Sequence, residues 1–294
     1  MDADPEQVHH ALAARGFWIC DGALDPAFAE SLDEELGERP LALNVNDVGP
    51  VRYHHQTYFT HALASSRRFF DLVTHPSLRA KCRAHLGDQF RLKCQRYYQS
   101  GLHHELTWHT DDKSPLGERT GVAGVGVVMY LRDTYEGELQ VLDGSNQWSG
   151  SLGRTEFTDE EVLAKYGEKI VTISRPAGTV IIFDSRILHR TRPIRRRGFI
   201  RKSVFLQVDA DMAHSEKIIL DAQYLEPSDE ELLRYLGVGL PSGYPAMPPS
   251  GLATLNNSDL RKVIFQSVKT LALRNLAGPV YRAARAVWRR ARFS

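Results

Sequence analysis

The 294-residue sequence predicts a mainly β domain, a sandwich or barrel with helices flanking it, followed by a basic helical tail. Three observations carry this. From Phe90 onward, short runs rich in β-branched and aromatic residues recur between Gly, Asp and Ser punctuation. Ahead of them, capped amphipathic stripes run from Asp4 to Gly37. Behind them, residues 259–294 hold nine Lys or Arg against one Asp, which leaves −7 of the overall +1 charge on residues 1–258.

Asp4 precedes Pro5 and Glu6, and Val8, Leu12 and Ala13 fall on one helical stripe that Gly16 ends. Phe17–Cys20 is a short strand, and Asp25-Pro26 opens a second helix carrying Phe28, Leu32 and Leu36 to Gly37. Further strands are expected at 90–98, 121–131, 138–142, 170–174, 178–184 and 199–208. Capping boxes at Thr158 with Glu161 and Ser228 with Glu231 signal two helices that decorate the sheets. Residues 237–251 contain four Gly and four Pro and form a loop or linker, so the division is a core of residues 1–258 and a tail of 259–294.

Composition excludes several classes. With 42% hydrophobic and 25% charged residues the chain is not disordered, and 37 basic against 36 acidic residues give no net field to recruit nucleic acid. Cys20, Cys82 and Cys94 have no CxxC spacing and suit buried thiols in a reducing compartment. The N-terminus is acidic where a signal peptide would be basic, and no run of 18 apolar residues occurs, so a cytoplasmic protein is expected.

Three segments carry chemistry. In Trp108-His109-Thr110-Asp111 the period of two turns the His109 imidazole and the Asp111 carboxylate to one side of an extended strand. The Gly178–Asp184 apolar strand is followed closely by His189. Two His and one carboxylate form a facial set that leaves three positions open on an octahedral Fe(II). One strand later, Arg201 and Ser203 share a face, a fork and a hydroxyl suited to a carboxylate, so a dicarboxylate is expected beside the metal. His103 with Glu105 is a rival pair at the same spacing.

At these residues the chain resembles the phytanoyl-CoA dioxygenase-like group of Fe(II)/2-oxoglutarate-dependent dioxygenases, over roughly residues 8–208. The Gly137–Ser145 run adds to the likeness, although Asn146 stands where that group often has His. The resemblance implies a double-stranded β-helix, a cupin-like jelly roll. It implies that His109, Asp111 and His189 ligate iron, that Arg201 with Ser203 holds the far carboxylate of 2-oxoglutarate, and that O2 is consumed in hydroxylating or otherwise oxidising an unactivated C–H. Gln95, Tyr97 and Tyr98, on the strand before the ligands, are placed to reach the co-substrate's other end, and Trp108 and Arg192 to touch substrate. Related halogenases have a small residue in place of Asp111, so an aspartate implies oxidation without halide.

Eight cations lie between Arg186 and Lys202, which would make either a positive rim for an anionic or carrier-bound small molecule or a solvated turn. The tail, with Val263, Ile264, Val268 and Leu271 among Arg261, Lys262 and Lys269, would either dock on the acidic core or lie on an anionic membrane surface. The competing reading is a non-oxidative jelly-roll protein, a metal-dependent isomerase or metal-binding module, that uses no 2-oxoglutarate.

Overall fold

Helix α1 (Pro5–Arg15) starts where the Asp4 side chain accepts the Glu6 N–H, and it stops at Gly16, whose φ of 85° suits a residue without Cβ. Strand β1 (Phe17–Cys20) follows, then α2 (Pro26–Gly37), capped by Asp25. A hairpin of β2 (Val51–Tyr53) and β3 (Gln56–Phe59) leads into α3 (Arg67–Val73) and α4 (Pro76–Leu86). The strands β4 (Arg91–Ser100), β5 (Trp108–His109), β6 (Gly124–Tyr130), β7 (Thr134–Leu142) and β8 (Glu156–Phe157) come next. After α5 (Asp159–Tyr166) come β9 (Ile170–Arg175), β10 (Val180–Asp184), β11 (His189–Thr191), β12 (Arg201–Asp209) and α6 (Glu230–Tyr235). This is a computed structural model that describes residues 3–42, 49–113, 118–148, 155–243, 264, 265, 268 and 269.

The strands make two antiparallel sheets. The larger has the order β1-β10-β6-β12-β4-β3-β2 and the smaller β8-β5-β11-β7-β9. Outside the sequential β4-β3-β2 edge the neighbours are non-consecutive, which is the wiring of a double-stranded β-helix. Alternation along β12 divides the larger sheet's two faces. Val204, Leu206 and Val208 join Leu92, Val125, Val127 and Met129 in a core shared with Leu12, Leu32, Leu36 and Phe69 of the helices. Arg201, Ser203, Phe205 and Gln207 point the other way, into a cavity between the sheets. A second apolar cluster, with Tyr130, Val141, Ile181 and Phe183, joins the sheets.

The expected strands are present within a few residues of their bounds, and the Thr158–Glu161 capping box forms. The box at Ser228 does not. Asp229 accepts the Leu232 N–H at 2.8 Å, Ser228 bonds Glu226, and Glu231 is taken by Arg79 and Arg83. Asn146 closes the end of α1, donating to the Leu12 carbonyl at 2.9 Å. Cys82 and Cys94 are buried and Cys20 is half-buried. Compact units span Met1–Ala253 and Thr254–Ser294, and the tail expected from residue 259 lies outside the described residues except for four helical, exposed positions, including Ile264, Phe265 and Val268. No described helix is long and apolar enough to cross a membrane.

Gly126 of β6 marks how closely the sheets' contents are packed. A Cβ there would sit 2.2 Å from the Phe183 ring, which itself borders the cavity. Gly126→Ala should lower stability by about 1–3 kcal/mol, the usual cost of overpacking, read as a fall in Tm; an unchanged Tm would mean that Phe183 is free to move.

Candidate active site

The register of the smaller sheet brings two imidazoles together. His109 of β5 is the Cα partner of His189 of β11, and their ring centroids are 4.3 Å apart. Asp111 lies in the bend after β5, where its N–H donates to the Ser185 carbonyl at 2.7 Å. Its carboxylate is 3.6 Å from His109 Nε2 and 3.4 Å from His189 Nε2. One ligand atom from each of the three residues lies within 4.8 Å of the others, the only such cluster of His, Cys, Asp and Glu among the described residues.

Both imidazoles are held in the tautomer a metal requires. His109 Nδ1 is 2.7 Å from the Thr107 carbonyl, and His189 Nδ1 is 3.1 Å from the Ile187 carbonyl. A carbonyl only accepts, so each Nδ1 carries a proton and each Nε2 is the nitrogen turned toward Asp111. Burial, and then the neighbouring His189, push His109 down to about 4. Burial acts to raise Asp111, but the two imidazoles outweigh it and hold the carboxyl well below its usual range. Two imidazole nitrogens and one carboxylate therefore face one point.

That point opens on a cavity of about 400 Å³. Arg201 is buried in the same wall, 6% exposed. Its Nη1 donates to the Gly137 carbonyl at 2.6 Å and to Thr191 Oγ1 at 3.2 Å, and its Nη2 to Ser100 Oγ at 3.3 Å, while Nε has no partner. No carboxylate among the described residues pairs with it. A buried cation left so costs several kcal/mol, which fits a wall built for an incoming anion. Ser100 also accepts from Gln56 Nε2 at 2.7 Å, and that amide lies 2.9 Å from His104 Nε2.

Of the remaining sequence-predicted residues, Ser203 and Tyr98 line the cavity and four do not. Gln95 and Tyr97 face the helices: Gln95 donates to the Thr60 carbonyl, and the Tyr97 hydroxyl donates to Asp33 at 2.6 Å. Arg96 and Tyr98, one step out of phase, face the cavity instead. Trp108 must point away because its neighbour His109 points in. It is buried with Leu142, Phe157, Val162 and Leu188, beneath the Arg190 guanidinium. Arg192 pairs with Glu138 on the outside. The rival residues His103 and Glu105 are exposed and lie outside the cluster.

The eight cations do not form a rim either. Arg186 binds Asp184, Arg190 binds Asp159, Lys202 binds Asp33, and of the eight only Arg201 lines the cavity. Sequence reasoning also missed Gln56 and Tyr58 of the β2–β3 hairpin, together with Lys93 and Glu216. Neither hairpin residue sits in a motif, and only the pairing of β3 with β4 brings them to the wall.

The phytanoyl-CoA dioxygenase family model matches residues 14–203, about two thirds of the sequence. The chain belongs to the phytanoyl-CoA dioxygenase family. A search of the curated proteins finds no match. Among solved structures it is similar to HygX from Streptomyces hygroscopicus with nickel and 2-oxoglutarate bound, with a TM-score of 0.52 and 17% identity over 70% of this chain and 87% of that one. It is also similar to the epimerase SnoN in complex with Fe3+, alpha ketoglutarate and nogalamycin RO, with a TM-score of 0.54 and 17% identity over 86% and 96%. A third is EctD from S. alaskensis with 2-oxoglutarate and 5-hydroxyectoine, with a TM-score of 0.56 and 20% identity over 85% and 88%. At these identities the likeness establishes a shared fold, which is the jelly roll expected of a phytanoyl-CoA dioxygenase family member.

Burial pushes His104 down to about 3, with Arg201 acting in the same direction, and His109 to about 4, both from 6.5. The folded family member keeps both rings neutral where the unfolded chain would protonate them, so stability present above pH 6.5 is lost as pH falls toward 4. The metal-free protein should lose Tm across that window, and His104→Gln should make the loss shallower; an equal slope would contradict the assignment.

Proposed function

We propose that the protein is an Fe(II)/2-oxoglutarate-dependent oxygenase that hydroxylates an unactivated C–H of a small molecule. The observation that carries this is the presence, in one cavity, of a two-His-one-carboxylate set and a buried guanidinium with no carboxylate of its own. The neighbours solved with 2-oxoglutarate, two of them also with nickel or iron, support the reading.

The residues present fit these groups. His109, Asp111 and His189 would hold the iron, since their donor set suits Fe(II) and leaves coordination positions for other ligands. Arg201, with the Ser203 hydroxyl nearby, would hold the far carboxylate of 2-oxoglutarate. Iron, 2-oxoglutarate and O2 together supply the oxidising power, with the keto acid leaving as succinate and CO2.

The chain's own part is orientation and exclusion of water. The Thr107 and Ile187 carbonyls fix both imidazoles before anything binds. Gly137, Thr191 and Ser100 hold the Arg201 guanidinium so that a carboxylate meets a fixed fork. Val128, Leu139, Phe183 and Phe205 give the cavity an apolar wall against which a C–H can be held away from solvent. A metal-binding module or isomerase without 2-oxoglutarate would have no use for an unpaired buried arginine.

Two experiments test the assignment. His109→Ala and Asp111→Ala should each abolish iron binding, measured by equilibrium dialysis of the purified protein, and all succinate release; iron content unchanged in both would overturn the ligand set. Arg201→Ala should leave iron bound while raising the 2-oxoglutarate concentration needed for half-maximal turnover by about 10-fold or more, in line with the loss of a charge-assisted fork. An unaltered co-substrate dependence would remove Arg201 from that role.

A further inference from the structure

Two of the three proposed metal ligands hang from a single turn. After β10, Ser185 presents its carbonyl to the Asp111 N–H at 2.7 Å, and Ile187 presents its carbonyl to His189 Nδ1 at 3.1 Å. The turn is closed by the Ile187 N–H donating to the Asp184 carbonyl at 3.0 Å, and it is tied to β6 by the Ser185 N–H donating to the Gly124 carbonyl at 2.8 Å. Its conformation therefore sets where one ligand's main chain lies and how the other's imidazole is rotated.

What holds the turn is the Asp184 side chain, which is fully buried. Oδ1 accepts from the Arg186 main-chain N–H and from Arg186 Nε, both at 2.9 Å. Oδ2 accepts from Arg186 Nη2 at 2.5 Å and lies 3.5 Å from His85 Nε2 of α4. An aspartate accepting the N–H two residues ahead is a turn-forming device in itself, and the guanidinium fork adds a charged pair to it. An amide could not replace it, because both oxygens accept from Arg186 and an amide nitrogen in either place would face one of its N–H donors.

We propose that Asp184 is a positioning residue for the metal centre: by locking the 184–187 turn it fixes the Asp111 main chain and the His189 ring in the arrangement that binds the ion. The proposal rests on the ligand set of the preceding section. Asp184 touches no ligand atom, so its effect reaches the centre only through the Ser185 and Ile187 carbonyls.

The test measures manganese(II) affinity, by electron paramagnetic resonance of the free ion, alongside Tm for four proteins: the full-length wild type, Asp184→Asn, Arg186→Met and Asp33→Asn. Asp33 is an equally buried carboxylate, bound to Tyr97, Arg132 and Lys202 on the helix side of the sheet. Asp184→Asn should weaken manganese binding by about 10-fold or more, the range seen when groups supporting metal ligands are lost. Arg186→Met, whose side chain is one-third exposed in the wild type at 32%, should fold even if Asp184→Asn does not, and should shift affinity in the same direction. Asp33→Asn should lower Tm and leave the affinity as it is.

Wild-type affinity in either turn variant would overturn the proposal, as would an equal loss in Asp33→Asn, which would mean general destabilisation. If the wild type binds no manganese, or His109→Ala binds it as well as wild type does, the ligand set falls and this inference falls with it.

Discussion

Everything at the proposed centre depends on one pairing, His109 opposite His189 in neighbouring antiparallel strands. Directly opposed residues project to the same face, so the pairing alone brings two imidazoles within reach of one ion. A slip of one residue would turn one ring away from the cavity. Strand β5 is only two residues long and cannot secure that register by itself. The register is secured from outside, by three pairs between β11 and β7 and by the turn that receives the Asp111 N–H. A short strand beside a well-anchored one leaves Asp111 free to bend back toward both rings, which a longer regular strand would not allow.

The second constraint is where buried charge goes uncompensated. Asp184, Asp33 and Asp112 are all fully or almost fully buried, and each has a basic partner. On the cavity wall Arg96 has Glu216. Arg201 alone among these buried charges is satisfied only by carbonyl and hydroxyl oxygens. Arg91, equally buried, is likewise held only by the Met212 and Pro241 carbonyls but lies away from the cavity; what distinguishes Arg201 is its place on the cavity wall, where the proposed co-substrate would supply the missing charge. In the cation-rich stretch around β11, Arg190, Arg192 and Lys202 pair with Asp159, Glu138 and Asp33, and the stretch makes no basic rim to the cavity.

Much of this was legible in the sequence because it lay in local patterns. Helix α1, with its Asp4 cap and Gly16 stop, and the strand Phe17–Cys20 follow from composition and spacing. The convergence of His109, Asp111 and His189 was expected too, from a two-residue step along an extended strand and from the family resemblance, but β5 ends at His109 and Asp111 reaches the rings from the bend that follows. The phase of β4 was not. Residues 91–97 are buried on both faces, so no alternation between apolar and polar residues told which of Gln95 and Arg96 would face the cavity. The β2–β3 hairpin and its wall residues Gln56 and Tyr58 were missed because its turn, His54-His55, has none of the usual glycine or asparagine, and His54 adopts a φ of 50° without them. The fate of the cations was hidden for a different reason: Arg190, Arg192 and Lys202 find their carboxylates far away in the sequence, at Asp159, Glu138 and Asp33.

The central claim is that these three side chains hold one ferrous ion while Arg201 holds the far end of a keto acid bound to it. Diffraction at the iron absorption edge, from crystals grown without oxygen in the presence of Fe(II) and 2-oxoglutarate, addresses it directly. The account requires a single strong anomalous peak bonded to His109 Nε2, Asp111 and His189 Nε2, with electron density for the keto acid running from that peak to the Arg201 guanidinium. A peak elsewhere, or a keto acid lying apart from Arg201, would contradict it.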